Sequence, residues 1–264
     1  MSSKSPQQFP WRLFWLLFIA GVFSVLAMIP FGIDLLGPAI SSQPQTPSSL
    51  PFPFIIAIGV VQNLLLLALM IFVGLKLGSR LGLGAPLLES VVEGKGSSPS
   101  WKGSVRTGLI VGVVVGVVLL ALVLFLVPLL PALPFVAAAK ITIWKRVLVC
   151  FYGGIYEELL TRLFLLTLIA WIATKVWKEK PNILSSRAFW IANILVAILF
   201  GLGHLPSASL IMPITPLVVA AALSLNGIAA IAFGLLYRKR GLESAMIAHF
   251  TADFVLYVVG VSFL

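Results

Sequence analysis

Long apolar runs separated by short polar intervals dominate the chain. Seven of them reach the roughly 20 residues that a helix needs to cross a hydrocarbon core about 30 Å thick. They extend approximately from Trp11 to Leu36, Pro51 to Leu75, Val105 to Leu130, Val147 to Thr174, Ala188 to Leu205, Leu210 to Tyr237 and Leu242 to Leu264. Stretches such as VGVVVGVV would suit a buried strand in a water-soluble protein. Run length and the lack of regular turn signals favour helix instead, which satisfies its own backbone hydrogen bonds in lipid. The pattern predicts an all-α, polytopic transmembrane helix bundle of about seven spans, or eight if one long run breaks. The intervals SSQPQTPSS and ESVVEGKGSSPSWKGS read as loops, and the second, the longest hydrophilic stretch, is the best internal boundary.

Composition agrees with the pattern. The chain is 60% hydrophobic and 10% charged with a mean hydropathy of +1.13, outside the range of soluble domains. Its net charge of +10 could suggest nucleic acid, but Lys and Arg cluster at the ends of apolar runs rather than forming a basic stripe. We therefore expect an integral, multi-pass membrane protein in contact with the lipid bilayer and not with nucleic acid, lying in the plasma membrane if the source is prokaryotic. Placing the first loop outside puts 14 basic residues, among them Lys4, Lys95 and Lys180, on the inner side and 3 on the outer, with Arg162 left within the membrane. That asymmetry predicts a cytoplasmic N-terminus. The first run is expected to be a retained span, since no small-residue cleavage site follows it. The single cysteine, Cys150, sits in an apolar run and reads as a packed thiol.

Against this background, YEELLTR at 156–162 stands out. An ionisable side chain at mid-membrane costs about 2.5–3.5 kcal/mol on insertion scales, so three within one turn and a half require partners. Glu158 and Arg162 are four residues apart with the acid first, the favourable order for an ion pair within a helix. Glu157 points about 100° away and is left for another task. The chain's two histidines lie in other spans: His204 closes Phe200-Gly-Leu-Gly-His204, and His249 opens His249-Phe-Thr-Ala-Asp253, whose ends share a helix face. A desolvated carboxylate beside an imidazole can activate water, and a second imidazole can stabilise an oxyanion. Glu157, His204 and His249 could equally hold Zn²⁺ with an open fourth position. On straight helices His204 lies about 25 Å and His249 about 13 Å from the inner end of its span, so tilt, a break near Asn226-Gly227 or near Pro206, Pro213 and Pro216, or a span count other than seven is needed to bring them together. Asn193 and Asn226 are expected to be packing groups.

The three motifs, EELLTR as E-E-x-x-x-R, FGLGH as F-x-x-x-H and HFTAD as H-x-x-x-N/D, resemble in order and separation those of the CAAX prenyl protease and bacteriocin-processing (CPBP, or Abi) family of intramembrane proteases. The resemblance covers about 141–264, which sets apart N-terminal transmembrane helices and loops at 1–140 from a catalytic bundle at 141–264. It implies an endopeptidase acting on a membrane-embedded or lipid-modified peptide. Glu157 and His204 would activate the water, His249 and Asp253 would bind the oxyanion, and Phe200 would pack the second motif. Asp253 stands where the family commonly has Asn; an ionised carboxylate can only accept hydrogen bonds, so we expect it to orient His249. The cofactor, none or Zn, stays open. The alternatives are a transporter or proton relay using the same groups, and a non-catalytic immunity or scaffold protein of the same fold.

Overall fold

The computed structural model of the protein describes residues 8–42, 50–94, 100–131, 133–178 and 184–263. Lys4, Lys95, Lys180, Leu264 and most of the SSQPQTPSS interval lie outside the described residues. The elements are α1 (Trp11–Ser41), α2 (Phe52–Gly78), α3 (Pro86–Glu93), α4 (Trp101–Leu126), α5 (Pro134–Ala138), α6 (Ile143–Val176), α7 (Ser186–Gly203), α8 (Leu205–Ser209), α9 (Pro216–Arg240) and α10 (Leu242–Val259). No strand occurs among the described residues. Among the described residues, seven helical segments are long and apolar enough to cross a membrane, with α8 continuing α7 as one of them. The chain is a multi-pass integral membrane protein.

Helix starts follow local chemistry. Ser100 Oγ accepts from Gly103 N–H at 3.2 Å to cap α4, and Ser185 Oγ accepts from Ala188 N–H at 3.0 Å to cap α7. Thr215 Oγ1 accepts from Val218 N–H at 3.3 Å, and Pro216 supplies the first turn of α9, where a missing N–H costs nothing. This start corrects the expectation of a span from Leu210. Residues between Ser209 and Pro216 are not helical: Pro213 and Pro216 each lack the N–H that a continuing helix would use, which favours a break here. The interval ESVVEGKGSSPSWKGS is likewise not all loop: Glu89–Glu93 belong to α3 and Trp101–Ser104 to α4.

Packing fixes where α10 runs. Gly108, Gly112 and Gly116 form a stripe along α4 against which α10 lies. A Cβ on them would come within 2.9 Å of Ser244 O, 2.5 Å of Ala248 O and 2.7 Å of Val255 Cβ, so backbones approach as only small residues permit. At its start, α10 is buried beneath α3 rather than placed at the surface. Leu242 N–H donates to Gly84 O at 3.0 Å, and Leu88 N–H donates to Glu243 Oε1 at 2.8 Å. One continuous core draws Leu17, Leu67, Met70, Leu119, Leu163, Phe189, Phe233 and Ala248 from both sides of residue 140. The outer surface carries large apolar side chains such as Ile19, Leu65, Val114 and Phe125, as a lipid-facing surface requires.

Candidate active site

The middle of α6 is not α-helical. Two π-helical stretches, Tyr152–Glu157 and Leu159–Leu166, flank Glu158, and a third, Phe254–Val259, follows Asp253 directly. With hydrogen bonds running five residues apart, a π turn rotates less per residue than an α turn, and such turns gather at functional sites. Glu157 and Glu158 therefore diverge by less than the 100° of an α-helix, and both reach the same imidazole.

His249 occupies that meeting point. Its Nδ1 lies 2.8 Å from Glu158 Oε1, and its Nε2 lies 3.5 Å from Glu157 Oε2 and 3.8 Å from Asp253 Oδ2. A carboxylate only accepts, so Nδ1 carries the proton it shares with Glu158. Glu158 also lies 3.3 Å from Arg162 Nε, four residues on, and both side chains are 0% exposed, whereas Glu157 keeps 18% of its surface. The second carboxylate is held by buried partners, and the first lines a cavity. The arrangement differs from expectation in one respect. The hydrogen bond that orients His249 comes from Glu158; Asp253 stands beyond hydrogen-bond distance on the other nitrogen.

His204 caps the C-terminal end of α7, where its Nδ1 is 2.7 Å from Phe200 O. Since a carbonyl accepts, Nδ1–H donates, and in the neutral ring Nε2 is left free to take a proton. Phe200, one turn earlier, lies edge-on to both imidazoles, with ring centroids 4.8 Å from His204 and 6.2 Å from His249. Phe200 thus lies between the two imidazoles, in contact with both. Arg162 lies 5.7 Å from the Phe233 ring, whose other neighbour is His249 at 4.9 Å.

Glu157, His204, His249 and Asp253 all line one cavity of about 520 Å³. Its remaining polar lining includes Thr161 and Asn226, and apolar residues of α1 and α4 such as Phe31 and Val123 close it. Thr161 Oγ1 donates to Glu157 O, and Asn226 Nδ2 donates to Ala222 O at 2.9 Å. Asn193 stays outside the cavity lining: it is buried and donates to Ile231 O at 3.2 Å, tying α7 to α9. Cys150 is buried with its thiol on Arg146 O at 3.2 Å. Gly153 is the residue the motif pattern did not bring out. A Cβ there would overlap Asp253 Oδ2 and lie 3.1 Å from His249 Nε2, so any larger residue would displace those two side chains. The signal was present as Gly153-Gly154 one turn before the paired glutamates, a small-residue site for helix crossing. Among the described residues, no group of three or more His, Cys, Asp or Glu side chains is placed to hold a metal ion.

The family model described as type II CAAX prenyl endopeptidase Rce1-like matches residues 117–255, more than half of the chain. The chain belongs to that family. No curated protein and no solved structure matches it. As an Rce1-like protein it is a hydrolase of the CAAX-type intramembrane endopeptidases. The family match begins within α4 and ends two residues after Asp253. In this Rce1-like chain the three motif-bearing helices fall inside the matched region or overlap it, and the glycine stripe of α4 ends one residue before it.

Proposed function

We propose that this protein hydrolyses a peptide bond in a membrane-associated or lipid-modified peptide, using a water activated by Glu157 and His204. The observation that carries the reading is the convergence of Glu157, His204, His249 and Asp253, from three spans, on one cavity walled by apolar helices. In the proposed reaction the water oxygen attacks the scissile carbonyl carbon while its proton passes to Glu157, with His204 Nε2 accepting a hydrogen bond from the same water. His249, in its protonated form, donates Nε2–H to the developing oxyanion, held in place by the Glu158 hydrogen bond on Nδ1. The tetrahedral species collapses, the C–N bond breaks, and the proton taken by Glu157 goes to the leaving amine. Asp253, adjacent to Nε2, supports the charged ring. Arg162 balances Glu158.

Membership in an endopeptidase family supports this reading over a transporter or proton relay built from the same groups. The test is cleavage of membrane-associated peptides by purified chain in proteoliposomes. Glu157→Gln and His204→Ala are expected to abolish cleavage at wild-type expression. Proteolysis retained by either variant refutes its role, and cleavage absent from the wild type while a proton or solute flux is present favours the relay. Binding without cleavage in both wild type and Glu157→Gln points to a scaffold.

A further inference from the structure

A second cleft, about 300 Å³ in volume, lies between α1 and α2. Its walls are apolar apart from Asn63 and Tyr152, and Asn63 Nδ2 is spent on Gly59 O of its own helix at 2.8 Å. Met28, Leu36 and Tyr152 line both this cleft and the catalytic cavity, so the two spaces meet at those side chains. Ile33 and Ile55 on its rim are 40% and 41% exposed, and α2 is the span least covered by protein, with 17% of its apolar window buried. The cleft therefore opens toward the lipid that surrounds the bundle. Gly59 leaves it clear, since a Cβ there would meet nothing within 4 Å.

The inner end of the cleft lies close to the chemistry. Tyr152 and Glu157 are the first and last residues of one π-helical stretch, where residues five apart stand one turn above each other. A chain reaching Tyr152 from the bilayer is thus one helical turn from the proposed base. The chemistry of the walls selects the occupant. An extended peptide would bring N–H and C=O groups against walls with almost no partners for them, and a charged headgroup would find no countercharge. A hydrocarbon chain has neither need. It arrives from lipid tails rather than water, so its gain is in packing and not in transfer, and the width of the cleft at Gly59 decides whether it fits.

The geometry points to a binding groove between α1 and α2 for the hydrocarbon anchor of the substrate, leading from the bilayer past Tyr152 to Glu157. This rests on the peptidase reading above and adds where the lipid sits. The test uses the full chain in proteoliposomes with one peptide in lipid-modified and unmodified forms, and the series Gly59→Ala, Gly59→Leu and Gly59→Phe. The preference in kcat/KM for the modified peptide falls stepwise with side-chain size, on the order of tenfold at Gly59→Phe. A preference unchanged across the series overturns the proposal. In a second arm, Glu157→Gln is labelled with the lipid-modified peptide carrying a photoreactive group on its hydrocarbon chain. Labelling within 25–40 of α1 and 52–63 of α2 supports the groove, and labelling confined to other helices overturns it. A phosphatidylcholine bearing the same group that labels the groove and is not displaced by the lipid-modified peptide assigns the groove to bilayer lipid, which also overturns the proposal. If the wild type cleaves neither peptide, the peptidase reading fails, while the labelling arm still decides the groove.

Discussion

Glu158 is placed between the Arg162 guanidinium and the His249 imidazole, fully buried, 3.3 Å from Arg162 Nε and 2.8 Å from His249 Nδ1. Replacing it with methionine, of similar volume, leaves the Arg162 guanidinium buried without its carboxylate. Breaking a buried ion pair from one side costs about 3–5 kcal/mol. For a chain of this size that corresponds to a fall in Tm on the order of 10 °C. The double variant Glu158→Met/Arg162→Met removes both charges and is expected to recover most of the loss, since apolar replacement of a buried pair is often neutral. The residual deficit, about 1–3 kcal/mol, is the His249 Nδ1–H left without an acceptor. Activity does not follow stability: without the Glu158 bond the ring loses its orientation, and cleavage stays on the order of 100-fold or more below wild type in the double variant. The assays are thermal unfolding in detergent and peptide cleavage in proteoliposomes. A single variant as stable as wild type would refute the account of the buried pair. A double variant as active as wild type would refute the role given to Glu158 in holding His249.

Two further outcomes follow from the site. Gly153→Ala drives a methyl group into the space of Asp253 Oδ2 and against His249 Nε2, and is expected to lower cleavage at least on the order of tenfold, because displacement of positioned groups by about 1 Å is costly; normal activity would show that Asp253 and His249 can yield to the methyl group without loss of function. Cleavage is expected to persist after dialysis against a strong chelator, and activity lost on chelation and restored by Zn²⁺, together with stoichiometric zinc in the purified chain, would contradict the proposal that Glu157 and His204 activate the water by themselves.

The fold and the polar residues of the site were largely legible in the sequence, for physical reasons. Twenty-residue apolar runs leave helix as the element, and ionisable groups within them are too costly to be incidental, which singled out Glu157, Glu158, Arg162, His204, His249 and Asp253. The Glu158–Arg162 pair followed from four-residue spacing, and it stands as expected at 3.3 Å. What was hidden depended on geometry that spacing does not encode. The π turns at Tyr152–Glu157 and Leu159–Leu166 carry no composition signature, so the shared reach of both glutamates to His249 could not be read from α-helical angles. The break after Ser209 was foreshadowed by Pro213 and Pro216, but the burial of the α10 start under α3 rests on Glu243 meeting Leu88 N–H, a contact 155 residues apart in sequence. The part played by α1 in closing the cavity was invisible for a similar reason: Met28 and Phe31 look like any lipid-facing pair until α6 is seen beside them.

The central claim is that a carboxylate on α6, facing a cavity shared with two imidazoles, drives water onto a peptide carbonyl. It is tested most directly by cleaving a lipid-modified peptide in heavy-oxygen water with wild type and Glu157→Gln reconstituted side by side. The account predicts cleavage by wild type with the label in the new C-terminal carboxylate, and none by Glu157→Gln at equal substrate binding. Cleavage by Glu157→Gln at the wild-type rate would contradict it.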